Sequence, residues 1–431
     1  MKKIVFYITI LFPVFTNAQQ FITLQNAIDT ALMNNFDIMI AKNNVEINKT
    51  YNNYGQAGGL PVINANVGED KSLSNINQNL SNGSTYTNNA ANSNTLNANI
   101  TGSITLFNGF KIVAEKERLN CLQKQSEIQL NQQIQNIIAD VMLKYYDIIR
   151  QEKYLKIIQN SLDVSNKKLE IVNERNKVGM AAAIDILQAQ MDVNSAKQNF
   201  MSQQLVIDQA KTELLQIIKI KKYVSFNVND TIIIDKTLQL DSVINSLNRN
   251  PSYLSAEQEV KINEQIIKEK NAQRYPSIKL NATYEFSNSN NDYGSVLSNQ
   301  NFGPSAGITM QIPLFNGNVF KTQRKVAEFE VKNSKLQQAN ILNNLNAEAV
   351  KAFQSYSSTL QQINSQSENF LLAKKLVNAV MQNFSLNQVT ILEVKVAQTS
   401  FEEAAYLLIN LQYAAKASEI QLEQLIYKLS Y

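Results

Sequence analysis

The sequence contains no histidine, no tryptophan and a single cysteine, Cys121. A histidine- or cysteine-built metal centre and any triad with a histidine base are therefore excluded. Cys121 has no partner in the chain, so no internal disulfide holds the fold. Only 12 glycines and 6 prolines occur among 431 residues, against averages of about 7% and about 5%. So few chain breakers predict long uninterrupted elements, mostly helices. The formal net charge of +4 is too small for a nucleic-acid-binding footprint. No glycine-rich phosphate loop is present either, which together with the missing histidine argues against an enzyme.

Lys2 and Lys3 precede an apolar run at 4–15, followed by Thr16-Asn17-Ala18-Gln19. A basic start, a short apolar stretch and small residues before the cut describe a secretory signal peptide over 1–18. The run is shorter than the roughly 17–25 residues of a spanning helix. Beyond it no stretch approaches 18 consecutive apolar residues, so no later transmembrane helix is predicted.

What the chain does have is a duplication. Leu60-Pro61-Val62-Ile63 recurs as Tyr275-Pro276-Ser277-Ile278, 215 positions on. Leu106-Phe107-Asn108-Gly109 recurs as Leu314-Phe315-Asn316-Gly317, 208 positions on, and Ile184-Asp185-Ile186 as Leu392-Glu393-Val394 at the same spacing. Ala27-Ile28 and Ala31-Leu32 find an echo in Val243-Ile244 and Ser246-Leu247. Common order makes this an internal repeat. It divides the mature chain into a first repeat over 19–222, an inter-repeat segment over 223–236 and a second repeat over 237–431. Each half reads helix, strand, loop, strand, very long helix, turn, helix.

The strands alternate with period two. From 95 to 106 the even positions are Leu96, Ala98, Ile100, Gly102, Ile104 and Leu106, and every odd one is Asn, Ser or Thr. Ile278, Leu280, Ala282, Tyr284 and Phe286 alternate in the same way, as do Ala306, Ile308, Met310 and Ile312. In the remaining strand Ile63, Ala65 and Val67 oppose Asn64, Asn66 and Gly68. About ten residues each suits a tilted strand crossing a bilayer. The polar stretches 70–94 and 288–302 read as exposed loops.

The helices carry another period. Ile134, Val141, Ile148, Leu155, Leu162 and Leu169 fall seven apart, as do Leu342, Ala349, Tyr356, Ile363, Phe370, Val377 and Phe384. A sustained seven-residue period means coiled-coil-like packing. Four membrane-crossing strands cannot close a barrel, and an open edge in lipid leaves unsatisfied backbone groups costing several kcal/mol each. Two copies would make an eight-stranded barrel filled by its own side chains, whereas three copies give 12 strands and a pore. A secreted structural or adhesive coiled-coil protein is the competing reading, but it leaves the amphipathic strands without a purpose.

These residues resemble the TolC-like outer-membrane efflux protein family over essentially the whole mature chain. The most specific stretch is Val178-Gly179-Met180-Ala181-Ala182-Ala183-Ile184-Asp185, because the family has a Val-Gly pair with an Asp six residues later. The second copy departs, with Leu386-Asn387-Gln388-Val389 at the turn and Glu393 for the Asp. Asn tolerates the left-handed conformation almost as Gly does. Val396 stands where the family can have a second pore carboxylate, and Ala181 and Val389 stand where it can have a gate-latching Arg.

The resemblance implies a mixed α/β membrane protein. Long helices form a trimeric periplasmic α-barrel, and four strands per chain contribute to a 12-stranded transmembrane β-barrel. It implies a homotrimer in outer-membrane lipid, extending into the periplasm, that docks a periplasmic adaptor and an inner-membrane pump. The docking tip would be Val178, Gly179, Met180, Ala181, Ala182, Leu386, Asn387, Gln388 and Val389, and the pore constriction Asp185 and Glu393. No cofactor, no catalysis and no nucleic acid are implied. A plainer reading of Asp185 and Glu393 is helix N-terminal charge, worth about 0.3–1 kcal/mol.

Overall fold

The computed structural model describes residues 20–220, 226–228, 230–294 and 296–429. The expected signal peptide over 1–18 lies outside them, as does part of the expected inter-repeat segment. The elements run β1 (Gln20–Phe21), α1 (Leu24–Asn34), α2 (Phe36–Tyr51), β2 (Val62–Asn79), β3 (Thr85–Phe107), α3 (Lys111–Lys177) and α4 (Ala183–Ile217). There follow β4 (Phe226–Asn227), α5 (Leu240–Ser246), a 3-10 turn, α6 (Pro251–Ala272), β5 (Ser277–Asn291), β6 (Ser298–Gln311), α7 (Val319–Ser385) and α8 (Ile391–Leu425). The chain separates into two compact units, one of which is built from Ile40–Asn131 and Pro251–Asn343.

That unit contains a four-stranded antiparallel sheet in the order β2-β3-β5-β6. Its register puts Ala65 beside Ile100, Ile100 beside Tyr284 and Leu280 beside Ile308. The apolar positions of all four strands therefore share one face. The other face is a polar ladder, in which Asn66 Nδ2 donates to Asn99 Oδ1 at 3.0 Å and Asn281 Nδ2 to Thr309 Oγ1 at 3.3 Å. Both edges, β2 and β6, lack a partner strand among the described residues.

Most of the polar stretches 70–94 and 288–302 is strand rather than loop, the strands covering 70–79, 85–94, 288–291 and 298–302. β2 has 18 residues and β3 has 23, paired to Asn79–Thr85 with one bulge between Ser74 and Ile76. β5 and β6 likewise pair as far as Asn290–Ser298. Apolar alternation ends where the strand needs no apolar face, but backbone pairing depends on N–H and C=O groups that every residue here except Pro supplies. Side chains reinforce it, as in Ser93 Oγ donating to Asn291 Oδ1 at 2.7 Å.

The other unit comprises the chain up to Met39, Gln132–Asn250 and Asn344–Tyr431. Val141, Ile148, Ala349, Tyr356, Val377 and Phe384 are buried there, as the heptad spacing predicts. Further along α3 the buried line shifts: Leu155, Leu162 and Leu169 are half-buried, while Ser161, Ser165 and Lys168 are buried. That stretch faces two helices at once. Gln398 of α8 donates to the Ser161 carbonyl and to Ser165 Oγ, each at 3.1 Å, and Asp192 of α4 meets Lys168. β1 pairs in parallel with β4, which lies within the inter-repeat segment. Buried Tyr145 joins the same region, its hydroxyl 2.5 Å from Asp230 Oδ2 and 3.2 Å from the Ile22 carbonyl. No described helix is long and apolar enough to cross a membrane.

Candidate functional site

Two helix reversals organise the candidate site. α3 ends with the Arg175 carbonyl accepting from Met180 N at 2.8 Å, while Gly179 N donates to the Asn176 carbonyl at 2.9 Å. α7 ends in the same pattern, with the Asn383 carbonyl accepting from Gln388 N at 3.0 Å and Asn387 N donating to the Phe384 carbonyl at 3.1 Å. Gly179 has φ +75° and Asn387 +63°. This is the Schellman pairing, which needs a left-handed residue at the position after the helix. A Cβ on Gly179 would meet nothing within 4 Å, so backbone conformation alone favours glycine there. Asn is the other residue that enters this region readily.

Each following helix opens on an acid. Thr390 caps α8: its Oγ1 accepts from Glu393 N at 3.3 Å, and Glu393 Oε2 accepts from Thr390 N at 2.6 Å. This is a complete capping box. Ala182 occupies the cap of α4 and has no side-chain acceptor, so only Ala182 N to Asp185 Oδ2, 3.2 Å, remains. The Thr390 backbone N–H, then its hydroxyl, hold the Glu393 carboxyl below the usual glutamate range. The helix N-terminal role of both acids is thus visible in the geometry. Asp185 is half-buried and Glu393 exposed.

The proposed tip residues divide in two. Val178, Gly179, Met180, Ala182, Leu386, Asn387 and Gln388 are exposed. Ala181 and Val389 turn inward and pack on a cluster of Val172, Ala189, Phe384 and Val394. A groove of about 350 Å³ lies between the two reversals and brings Met180, Ala181 and Asp185 together with Asn387, Val389 and Glu393. Arg175 spans that groove. Its guanidinium donates to the Phe384 carbonyl and lies 4.4 Å from the centre of the Phe384 ring, a cation–π contact.

Arg175 escapes a search for an arginine two residues after the turn, because it sits four residues before Gly179. A second group is equally hidden. Lys168, fully buried, lies 2.5 Å from Asp192, whose other oxygen is 3.1 Å from Lys395 of α8. In sequence Lys168 looks like one more solvated lysine; the signal was its place three residues after Ser165 and four before Val172, both buried. Burial alone would push the Asp192 carboxyl up, but the hydrogen bond and charge of Lys168, aided by Lys395, hold it below its ordinary value.

A family model described as outer membrane efflux protein matches residues 27–218 and 243–426. The chain is 23% identical over 319 residues to outer membrane protein TolC of Vibrio cholerae serotype O1, covering 71% of each sequence. It superposes on CusC, whose crystal structures concern conformational changes accompanying folding and transmembrane channel formation. The TM-score is 0.76 at 19% identity, covering 96% of this chain and 95% of CusC. The outer-membrane channel OprN gives a TM-score of 0.77 at 15% identity, covering 94% of this chain and 89% of that one.

Proposed function

Because the chain belongs to the outer membrane efflux protein family and resides in the outer membrane, we propose that it is the homotrimeric channel-tunnel of a tripartite efflux or type I secretion system. Three copies close their sheets into one 12-stranded barrel in lipid, and their helices line a conduit through the periplasm. An inner-membrane pump supplies the energy and reaches the channel through a periplasmic adaptor. The chain catalyses nothing. Exposed Val178, Gly179, Met180 and Ala182, with Leu386, Asn387 and Gln388, form the adaptor-docking surface. Ala181 and Val389 support it from beneath. Asp185 and Glu393 of three chains place six carboxylates at the constriction, which favours cations.

One observation carries this reading: a four-stranded sheet with a continuous apolar face and two open edges. In lipid each unpaired edge group costs several kcal/mol, so the sheet must close with further copies of itself. Light scattering of the detergent-solubilised protein, with bound detergent subtracted, should give the mass of three mature chains. Reconstituted into a planar bilayer, it should conduct ions. A monodisperse monomer that keeps its β-signal in infrared spectra would overturn the proposal.

A further inference from the structure

We infer that copies of this chain join in the register by which its own two halves already join, Met310 opposite the partner's Val67, with the 314–317 turn seated on the partner's 57–60 turn. This register presupposes the homotrimer proposed above and adds the residues of its joint.

Within the chain the halves meet at β3 and β5, where Gly102 pairs with Ala282, Ser103 with Asn281 and Ile104 with Leu280. The repeat carries β3 onto β6 by 208 positions and β2 onto β5 by 215. Gly102 thus becomes Met310, and Ala282 becomes Val67. In the same way Ser103–Asn281 maps to Gln311–Asn66, and Ile104–Leu280 to Ile312–Ala65. Apolar residues meet apolar ones on one face and Gln311 meets Asn66 on the other. A slip by one residue would set apolar side chains against polar ones along the whole joint.

The turn after each strand gives an independent sign. β3 continues to Phe107 because Ile278 pairs with it. Gly109, at φ +68°, lies so close that a Cβ there would be 2.5 Å from the Ala272 carbonyl and 2.7 Å from Tyr275 Cβ. The identical Leu314-Phe315-Asn316-Gly317 has no such seat. β6 stops at Gln311, Leu314 is 93% and Phe315 83% exposed, and Gly317, at φ +66°, has nothing within 4 Å of a built Cβ. The repeat maps Ala272 and Tyr275 to Ala57 and Leu60, so those residues of the partner complete the seat.

The flanking helices agree. α3 packs on α6, with Arg118 Nε 2.6 Å from Glu269 Oε1 and Ile262 only 6% exposed. The counterparts of Arg118 and Glu269 are Val326 and Tyr54, both exposed, and that of Ile262 is Ile47, which is 50% exposed. A half-buried ion pair in one joint becomes an apolar pair left open in the other. α2 and α7 therefore each present an apolar face that the partner's α7 and α2 fit.

Cysteine cross-linking in a Cys121→Ser background tests the register. Gln311→Cys with Asn66→Cys, oxidised in native membranes, should yield a covalent trimer. Pairing Gln311→Cys with Asn64→Cys or Gly68→Cys should yield about ten-fold less, because diagonal neighbours lie about 7–8 Å apart against about 4.5–5.5 Å for direct ones. A trimer that links mainly through position 64 or 68 would overturn the register and leave the homotrimer standing. A wild-type chain that is no trimer by light scattering would remove the homotrimer itself. For the turn, Gly317→Ala should cut trimer yield several-fold, while Gly83→Ala, with a comparable φ of +82° and equally open surroundings, should not. Equal yields would overturn the seating of the turn.

Discussion

A carboxylate that caps its own helix is held in place before any ion arrives. At the residue scale Glu393 does this through Oε2, and the Thr390 N–H keeps its pKa below the ordinary 4.5. The cap's contribution to stability is present above the ordinary glutamate range and is lost as pH falls through the lowered pKa. Cation preference due to Glu393 should follow the same curve. Single-channel recordings should therefore place the midpoint of its loss below pH 4.5. Asp185→Asn combined with Glu393→Gln should weaken that preference at neutral pH. If the double variant keeps it in full, the two acids are helix caps and nothing more. Asp192 makes a different case, because its loss leaves Lys168 charged and buried. Removing one partner of a buried pair costs about 3–5 kcal/mol, so Asp192→Ala should lower stability by that order in urea unfolding followed by circular dichroism. A change below about 1 kcal/mol would mean that Lys168 is hydrated after all.

At the scale of elements, the sheet's two faces make opposite demands. Ile100 and Leu280 lie on the apolar face, so Arg at either should impair membrane insertion, by about 2–4 kcal/mol near the midplane. Arg at Asn99 or Asn281, on the polar face, should be tolerated, as outer-membrane yield of each variant would show. Equal damage at both parities would mean the faces are misassigned. The alternation that supports this test was legible in the sequence because lipid and water act on alternate residues. It stopped being legible at about Asp70 and Asn288, where the apolar alternation ends and hydropathy carries no strand signal. The seven-residue period exposed α3 and α7 for the same reason that it exposed Val141 and Phe384 as buried. It did not expose Ser161 or Lys168, whose burial depends on partners in α4 and α8 far along the chain. The helix break at Asn35 was hidden too: its Oδ1 accepts from Asp37 N at 2.9 Å, and its Nδ2 donates to the Ile217 carbonyl at 3.1 Å. The turn residues of the tip were legible, since a glycine after a long helix marks its stop, but which of them face outward was not.

For the whole molecule the decisive question is what the tip meets. Ala181 packs against the Val172–Phe384 cluster, so a charge there would disturb packing and docking together. Met180 is 63% exposed and separates the two. Met180→Glu should abolish export by burying an unpaired charge against the adaptor, with an unchanged amount of trimer in the outer membrane. Normal export by this variant would place the adaptor elsewhere. The long β2–β3 hairpin bears on a further property of the intact channel. A protease takes its substrate as an unpaired extended segment, and such nicks concentrate at loop tips. Pairing as far as Asn79–Thr85 withdraws nearly all of the hairpin from attack. What remains is residues 80–84, closed by Leu80 N donating to the Ser84 carbonyl at 2.9 Å. A segment as polar as a linker is thereby made resistant to digestion, and broad-specificity proteolysis of the purified channel should cut this hairpin at that tip or leave it whole.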